Sequence, residues 1–396
     1  MSGVSLRLDV DRWRRHLTTV VDATPGIVPV AKGNGYGFGL GRLAAESTRL
    51  GVDTIAVGLA SEVAAVRAEF AGDIVVMTPW RPGDDLAREL LGDPRVITTV
   101  SRLEDLEAII ALSSESGEEH RPRVIVEILT SMQRHGIRPE QLPAVADALD
   151  RVAFEGWMIH LPLLHEGRAE EAENLARAAL AVAPGTLWVS HLPAAEAASL
   201  AIDLGRMVAG SPGVEPAQPP ALASSGSRQA HPRADSTPSD PALSQPVPMR
   251  LRVGTWLWLG DPGAYSPVAT VLDVHRVRKG DRAGYRQRRI TKDGWLLVIA
   301  GGTAHGIGME APTSAASGRQ RLIALAQGGL EAAGRALSPY TVAGKKRWFL
   351  EPPHMQASLV LLPLTEQPPA IGDEVPVELR LTTALVDRIV PRRERP

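Results

Sequence analysis

"VPVAKGNGYGFG" (residues 28–39) sets one lysine at the end of an apolar, β-branched run and just ahead of four glycines. The chain holds only five lysines against 38 arginines, so Lys32 is not one of many interchangeable surface charges. The lysine precedes the glycines and there is no GxGxxG, which excludes a Walker-type or dinucleotide loop. Glycines beside a strand-end lysine remove side-chain bulk and let a ligand approach the main chain, and Tyr36 brings a hydroxyl to the same place. In a closed barrel the C-terminal strand end is the catalytic face. A partly desolvated lysine at such a mouth suits Schiff-base chemistry.

Outward from this stretch, short β-branched runs alternate with alanine-rich segments of helical period. Strands are expected at 26–31, 54–59, 73–78, 95–100, 123–128, 153–160 and 187–192, and an eighth in "RLRVGTWLWLG" (250–260). Helices are expected in "GLGRLAAESTRLG", "LASEVAAVRAEF" and "AEEAENLARAALAVA". Strict alternation implies parallel strands with crossover helices. An open doubly wound sheet also alternates; the count of eight is what selects an α/β fold with an N-terminal (β/α)8 TIM-type barrel. Residues 210–248, rich in proline, serine and alanine, cannot bury enough apolar surface to offset chain entropy and read as a disordered insertion. From 264 onward the pattern turns to strands separated by "KGD", "KDG" and "IGD" turns, with one helix expected in "RQRLIALAQGGLEAAG" (319–334). The expected division is 1–262 for the barrel and 263–396 for a mostly β domain.

At 396 residues the chain is too long for one small core, which agrees with two domains. Its net charge of −2, with both signs scattered, gives no footprint for nucleic acid or an anionic membrane surface. The absence of cysteine excludes disulfides, thiolate metal sites and cysteine nucleophiles. Dispersed histidines give no metal-ligand spacing. The first 17 residues lack a signal-peptide core and no run is long enough to span a bilayer, so the expected location is the cytoplasm.

Six motifs, in order along the chain, carry a resemblance to one family. "VAKGNGYGFGL" is similar to the K-A-N-A-Y-G-H-G cofactor-lysine motif of alanine racemases. "TSMQRHGI" (130–137) resembles T-G-M-x-R-x-G, "EGWMIH" (155–160) G-x-x-T-H, and "RVGTWLWLG" (252–260) R-P-G-I-x-L-Y-G. "KGDRAGY" (279–285) is similar to the stretch ending in the catalytic tyrosine, and "PPHMQ" (352–356) to V-x-M-D. The resemblance implies a pyridoxal 5′-phosphate (PLP) enzyme of fold type III, a homodimer whose active sites take residues from both chains. It implies that Lys32 holds PLP as the internal aldimine and serves as one base, with Tyr285 of a second copy as the other. These two act on opposite faces of Cα to interconvert L- and D-alanine or a related small amino acid, the D-form being a peptidoglycan precursor. Arg252 then faces the pyridine nitrogen, Arg134 the phenolic oxygen and the substrate, and His160 orients the Arg252 network. Tyr36 and the Gly254 main chain hold phosphate, and Met355 meets the substrate carboxylate through its amide.

The departures fall on phosphate and entrance positions. The phosphate-binding serine of H-x-x-N-S is Ala195 in "HLPAA" (191–195), M-D is Met355-Gln356, and G-Y-x-D-G is "GGTAHG" (301–306). The tyrosine of R-P-G-I-x-L-Y-G is Trp258, and the C-terminal phosphate tyrosine is missing from "LTTALVDRIV" (381–390). Three functions are compatible with the residues: an alanine-type racemase, another reaction on the same scaffold such as a dehydratase, and a racemase-like protein that binds without turnover. Arg252 argues against the decarboxylases of this fold, which carry an acidic residue against the pyridine nitrogen.

Overall fold

The computed structural model describes residues 3–116, 121–163, 166–209, 245–309 and 336–392. The expected insertion lies outside these except for 245–248, and so does the expected helix at 319–334. Eighteen strands are formed among the described residues, β1 (Val4–Leu8) being the first. The barrel strands are β2 (Ile27–Pro29), β3 (Thr54–Val57), β4 (Asp73–Val76), β5 (Val96–Val100), β6 (Arg123–Ile128), β7 (Ala153–His160), β8 (Leu187–Ser190) and β9 (Met249–Val253). The second sheet uses β10 (Tyr265–Val277), β13 (Gly294–Ala300), β14 (Leu337–Val342), β15 (Lys345–Phe349), β16 (Ala357–Pro363), β17 (Glu374–Pro376) and β18 (Arg388–Pro391). A small hairpin, β11 (Arg282–Ala283) with β12 (Arg288–Arg289), projects between β10 and β13. No helix among the described residues is long and apolar enough to cross a membrane.

Strands β2 to β9 pair in parallel, β2 with β9 at one seam, and the ring closes through the bridge Val30–Ala56. The Ala31 N–H donates to the Ala56 carbonyl at 2.8 Å across that bridge. The barrel anticipated from the strand count is therefore closed. Side chains alternate across each strand. Val28, Val30, Ala56, Val75, Ile97, Ile125, Met158 and Trp188 point inward and form one buried cluster. Their neighbours, such as Val124, Val126, Trp157, Ile159 and Val189, point outward into the helical layer. Being buried on both faces, these strands read as nearly continuous apolar runs.

Two sequence expectations need correction. Residues 4–8, assigned with the barrel, pair antiparallel with β10 and parallel with β18, so β1 sits inside the second sheet. Its alternate residues Val4, Leu6 and Leu8 are buried there, and the chain then enters the barrel through the helix Val10–Asp22. The eighth barrel strand also ends early: β9 stops at Val253, and Thr255–Leu259 is a helix. The reason is local. Gly254 leaves the extended region (φ −113°, ψ −91°), and helical spacing lets Leu257 and Trp258 both turn into the core.

Trp258 is the pin of the barrel seam. Its indole N–H donates to the Val30 carbonyl at 2.8 Å, and its own carbonyl accepts from the Trp13 indole at 2.9 Å. The departure noted at this position is thus occupied by a larger ring with a donor. Trp258→Phe keeps an aromatic ring but removes the donor and some volume. We expect it to lower stability by ~1–3 kcal/mol, read from the urea unfolding midpoint.

Candidate active site

The inward parity of the barrel decides which side chains reach its C-terminal mouth. Val28 and Val30 point inward, so Lys32 does too, and Gly58, two residues beyond Ala56, leaves room beside it. By the same count Met158 leads to His160, Trp188 to Ser190, and Ile125 to Glu127. In register, His160 lies beside Ser190 and Ser190 beside Arg252, so three adjacent strand ends form one row.

Lys32 is held from below by a carboxylate that is not its ion-pair partner. Glu62 accepts the N–H groups of Gly33 at 2.6 Å, Gly58 at 2.7 Å and Leu59 at 3.1 Å, which ties the lysine loop to the end of β3. From above, the Asn34 amide donates to the carbonyls of Leu381 (2.8 Å) and Ala384 (2.6 Å) of the second domain. Between these anchors the Lys32 pKa is depressed from its ordinary 10.5, first by partial burial and then by the positive charges of Arg134 and Arg252. More of its amine is therefore uncharged at neutral pH than in a free lysine.

Arg252 is 5% exposed. Its guanidinium donates to the Met158 sulfur at 3.2 Å and the Ile159 carbonyl at 3.3 Å, and its Nε has no partner. Burial brings its pKa down to about 10, with Glu127 opposing that shift. It remains a cation at neutral pH. Glu127 is 2% exposed, with an unpartnered Oε2, and burial raises its pKa. His160 carries a third orphaned atom, Nδ1, and its ring meets that of His191 edge-on at 5.2 Å. A buried mouth with three polar atoms unsatisfied among the described residues, from three residues of adjacent or nearby strands, has the signature of a polar ligand site.

Arg134 is exposed on the loop after β6, whose ends are drawn together by Leu129 N–H to the Ile137 carbonyl (2.9 Å) and Ile137 N–H to the Glu127 carbonyl (2.8 Å). Tyr36 is buried, and its hydroxyl is pushed up to about 12 by burial and then by Glu62. A Cβ at position 254 would overlap that hydroxyl, so only glycine fits there. Lys32, Tyr36, Arg134, His160, Arg252 and Gly254 thus share one mouth.

Tyr285 and Met355 do not join them in this chain. Both sit on the second domain and are 85% and 72% exposed. Sequence reasoning missed Glu62, Glu127 and His191. The alternation in "RVIVEI" was a usable signal for Glu127, since a charge two residues after an inward isoleucine must enter the barrel. His191, at φ +64°, was noticed only as part of a motif that had lost its serine.

His160 also gives a pH prediction. Burial, and then Arg252, lower its pKa to about 2 from an ordinary 6.5. Below pH 6.5 the unfolded chain takes up a proton that the native ring refuses, so stability falls as pH drops from there. The unfolding midpoint of the wild type is expected to decline more steeply between pH 7 and 5 than that of His160→Asn.

Comparison with known proteins agrees with this geometry. Residues 8–201 match the family model for the alanine racemase N-terminal domain. The alanine racemase of Mycobacterium tuberculosis H37Rv is 30% identical over 141 residues, 34% of this chain and 36% of that protein. The catabolic alanine racemase of Mesorhizobium japonicum is 29% identical over 199 residues, 47% and 51% of the two chains. These matches span about a third to a half of the relatives' length. In overall fold the chain is similar to the Bartonella henselae alanine racemase solved with covalently bound pyridoxal phosphate. That likeness has a TM-score of 0.64 and 16% identity, over 96% of this chain and 91% of the other. The Streptomyces lavendulae alanine racemase gives a TM-score of 0.62 at 18% identity, over 95% and 87%. Residues 8–201 thus carry a domain of the alanine racemase N-terminal family, and the two-domain fold is the one seen in solved alanine racemases.

Proposed function

We propose that the protein is a PLP-dependent racemase of a small amino acid, with alanine as the first substrate to test. The observation that carries this reading is the depressed Lys32 amine facing the buried, incompletely satisfied Arg252 at the barrel mouth. The residues fit the cofactor: Lys32 would carry it covalently, Arg252 would meet its ring nitrogen, and Arg134 its phenolic oxygen. Tyr36, beside the Gly254 main chain, would meet the phosphate. Bound there, PLP supplies an electron-withdrawing ring that takes up the charge left when the Cα–H bond breaks.

The chain's own groups then divide the proton work. The Lys32 amine takes or returns a proton on one face of Cα. Tyr285 of a second copy, in a homodimer, does so on the other. Arg252 would set its positive charge against the ring nitrogen, which would keep that nitrogen unprotonated and restrain side reactions. His160, held neutral, supports Arg252 without adding charge, and Arg134 with the Met355 amide of a second copy would hold the substrate carboxylate.

A second reading, binding without racemisation, has its own support. Ala195 offers no hydroxyl, and the C-terminal segment meets the lysine loop through Leu381 and Ala384 rather than a tyrosine. Each lost donor to a phosphate oxygen weakens cofactor binding by ~1.5–3 kcal/mol.

Added PLP is expected to give the wild type a visible absorption band that borohydride removes, and Lys32→Ala no such band. α-Proton exchange of alanine in heavy water is expected to fall by at least ~10³-fold in Lys32→Ala. A wild type that binds PLP but exchanges no α-proton of any amino acid would overturn the racemase and leave the binding role. Amine modification of Lys32 in the cofactor-free chain is expected to show a midpoint below pH 10.5, moving up in Arg252→Met because a positive charge is removed.

A further inference from the structure

Tyr285 stands at the tip of the β11–β12 hairpin, and the way that tip is held is unusual. An exposed turn can satisfy its main chain with water. Here the Tyr285 and Arg286 N–H groups instead donate to the two oxygens of one carboxylate, Glu351, at 2.8 and 3.0 Å. Glu351 is 4% exposed, although the residue it anchors is 85% exposed. The same carboxylate bonds the His354 Nε2 at 2.7 Å, and the His354 ring lies against the Tyr285 ring, with centroids 4.3 Å apart at 47°. Gly284, at φ +79°, is required for this arrangement, because a Cβ there would run into the Glu351 carboxyl.

The loop that carries His354 is itself fixed. Its His354 and Met355 carbonyls accept from Thr303 (2.9 Å) and Ala304 (3.0 Å), and the His354 N–H donates to the Ala357 carbonyl at 2.9 Å. The three bonds outweigh the cost of burying Glu351: burial alone pushes its pKa up, but the His354 and main-chain bonds leave it below the ordinary value. A buried anion is expensive to assemble, and a connecting turn does not need one. What the network does is fix one exposed phenol on both sides, through its main chain and through its ring.

We infer that Glu351 and His354 are positioning residues for the Tyr285 phenol, holding it rigid for presentation to the Lys32 mouth of a second copy. This rests on the racemase reading above. Neither residue is one that the sequence analysis assigned a role. Glu351 sets the hairpin tip and the imidazole together, and the imidazole then limits the ring's rotation. Both act through Tyr285 and neither needs to touch substrate.

The test uses the full chain with PLP, in wild type and in Glu351→Gln, His354→Ala and His354→Phe. Solvent deuterium entry at Cα is followed separately for L- and D-alanine, with amide exchange at residues 284–287 measured in parallel. In a two-base scheme each base serves one enantiomer, so misplacing Tyr285 slows one of them selectively. Glu351→Gln and His354→Ala are expected to speed amide exchange at the tip. They are also expected to slow Cα exchange of one enantiomer by about 10- to 100-fold while the other changes far less. His354→Phe, which keeps a ring against Tyr285, is expected to recover part of the loss. Equal loss for both enantiomers, or no loss in any variant, would overturn the positioning role. If Glu351→Gln does not fold, the two His354 variants carry the same comparison. A wild type inactive toward both enantiomers would overturn the racemase reading and this inference together, an outcome distinct from the other two.

Discussion

Arg252 is a full positive charge buried at the mouth of a barrel, with only a thioether and one carbonyl among the described residues within hydrogen-bonding reach. Much of the surrounding chemistry follows from that placement. Its field, added to burial, lowers the pKa of Lys32 and of His191 and keeps His160 neutral. Glu127 lies under the same field, which opposes the rise that burial gives its carboxyl. A cation so poorly satisfied keeps hydrogen-bonding capacity that a ligand at the mouth can use. The barrel makes the placement possible, because alternation along β9 turns Arg252 to the interior at the end of the strand, and Trp258 then pins the following helix to β2.

The mouth is assembled from the barrel, but the second domain holds its rim. Asn34 reaches from the lysine loop to Leu381 and Ala384, and β1 ties the first residues of the chain into the second sheet. The same domain carries Tyr285 on a rigid hairpin facing solvent. One part of the chain therefore presents an incompletely satisfied cationic pocket, and another presents an exposed phenol held by Glu351 and His354. That division is what the proposed sharing of a site between two copies would use. Where the family motifs are broken, the structure gives the new residues packing roles. His305 is buried, accepts the Gly302 N–H at Nδ1 and faces Asp387 at 3.2 Å, and Asp387 in turn accepts the Val4 N–H at 2.7 Å.

Much of the fold and the site was legible from the residues. The eight apolar runs gave the barrel because buried parallel strands have no polar face to hide, and the motif glycines marked where a ligand or hydroxyl meets the main chain. Other features depended on partners far along the chain. Residues 4–8 carry no mark showing that they pair with 265–269 and 388–391. Nothing local to "TWLWL" separates a strand from a helix until Val30 is seen to need its indole. Glu351 and His354 looked like ordinary loop residues in "LEPPHMQ" until the hairpin tip was folded against them.

By itself the sequence determined the parity of each barrel strand, and with it which residues face the mouth, because side-chain direction is a local property of an extended chain. It also determined the lysine, the arginine and the glycines that such a mouth needs. Only the tertiary structure decided the charge state of those groups and their supports. Burial, the field of Arg252, and the reach of Glu62 and Glu351 to distant N–H groups depend on distances between elements, and no local pattern contains those distances.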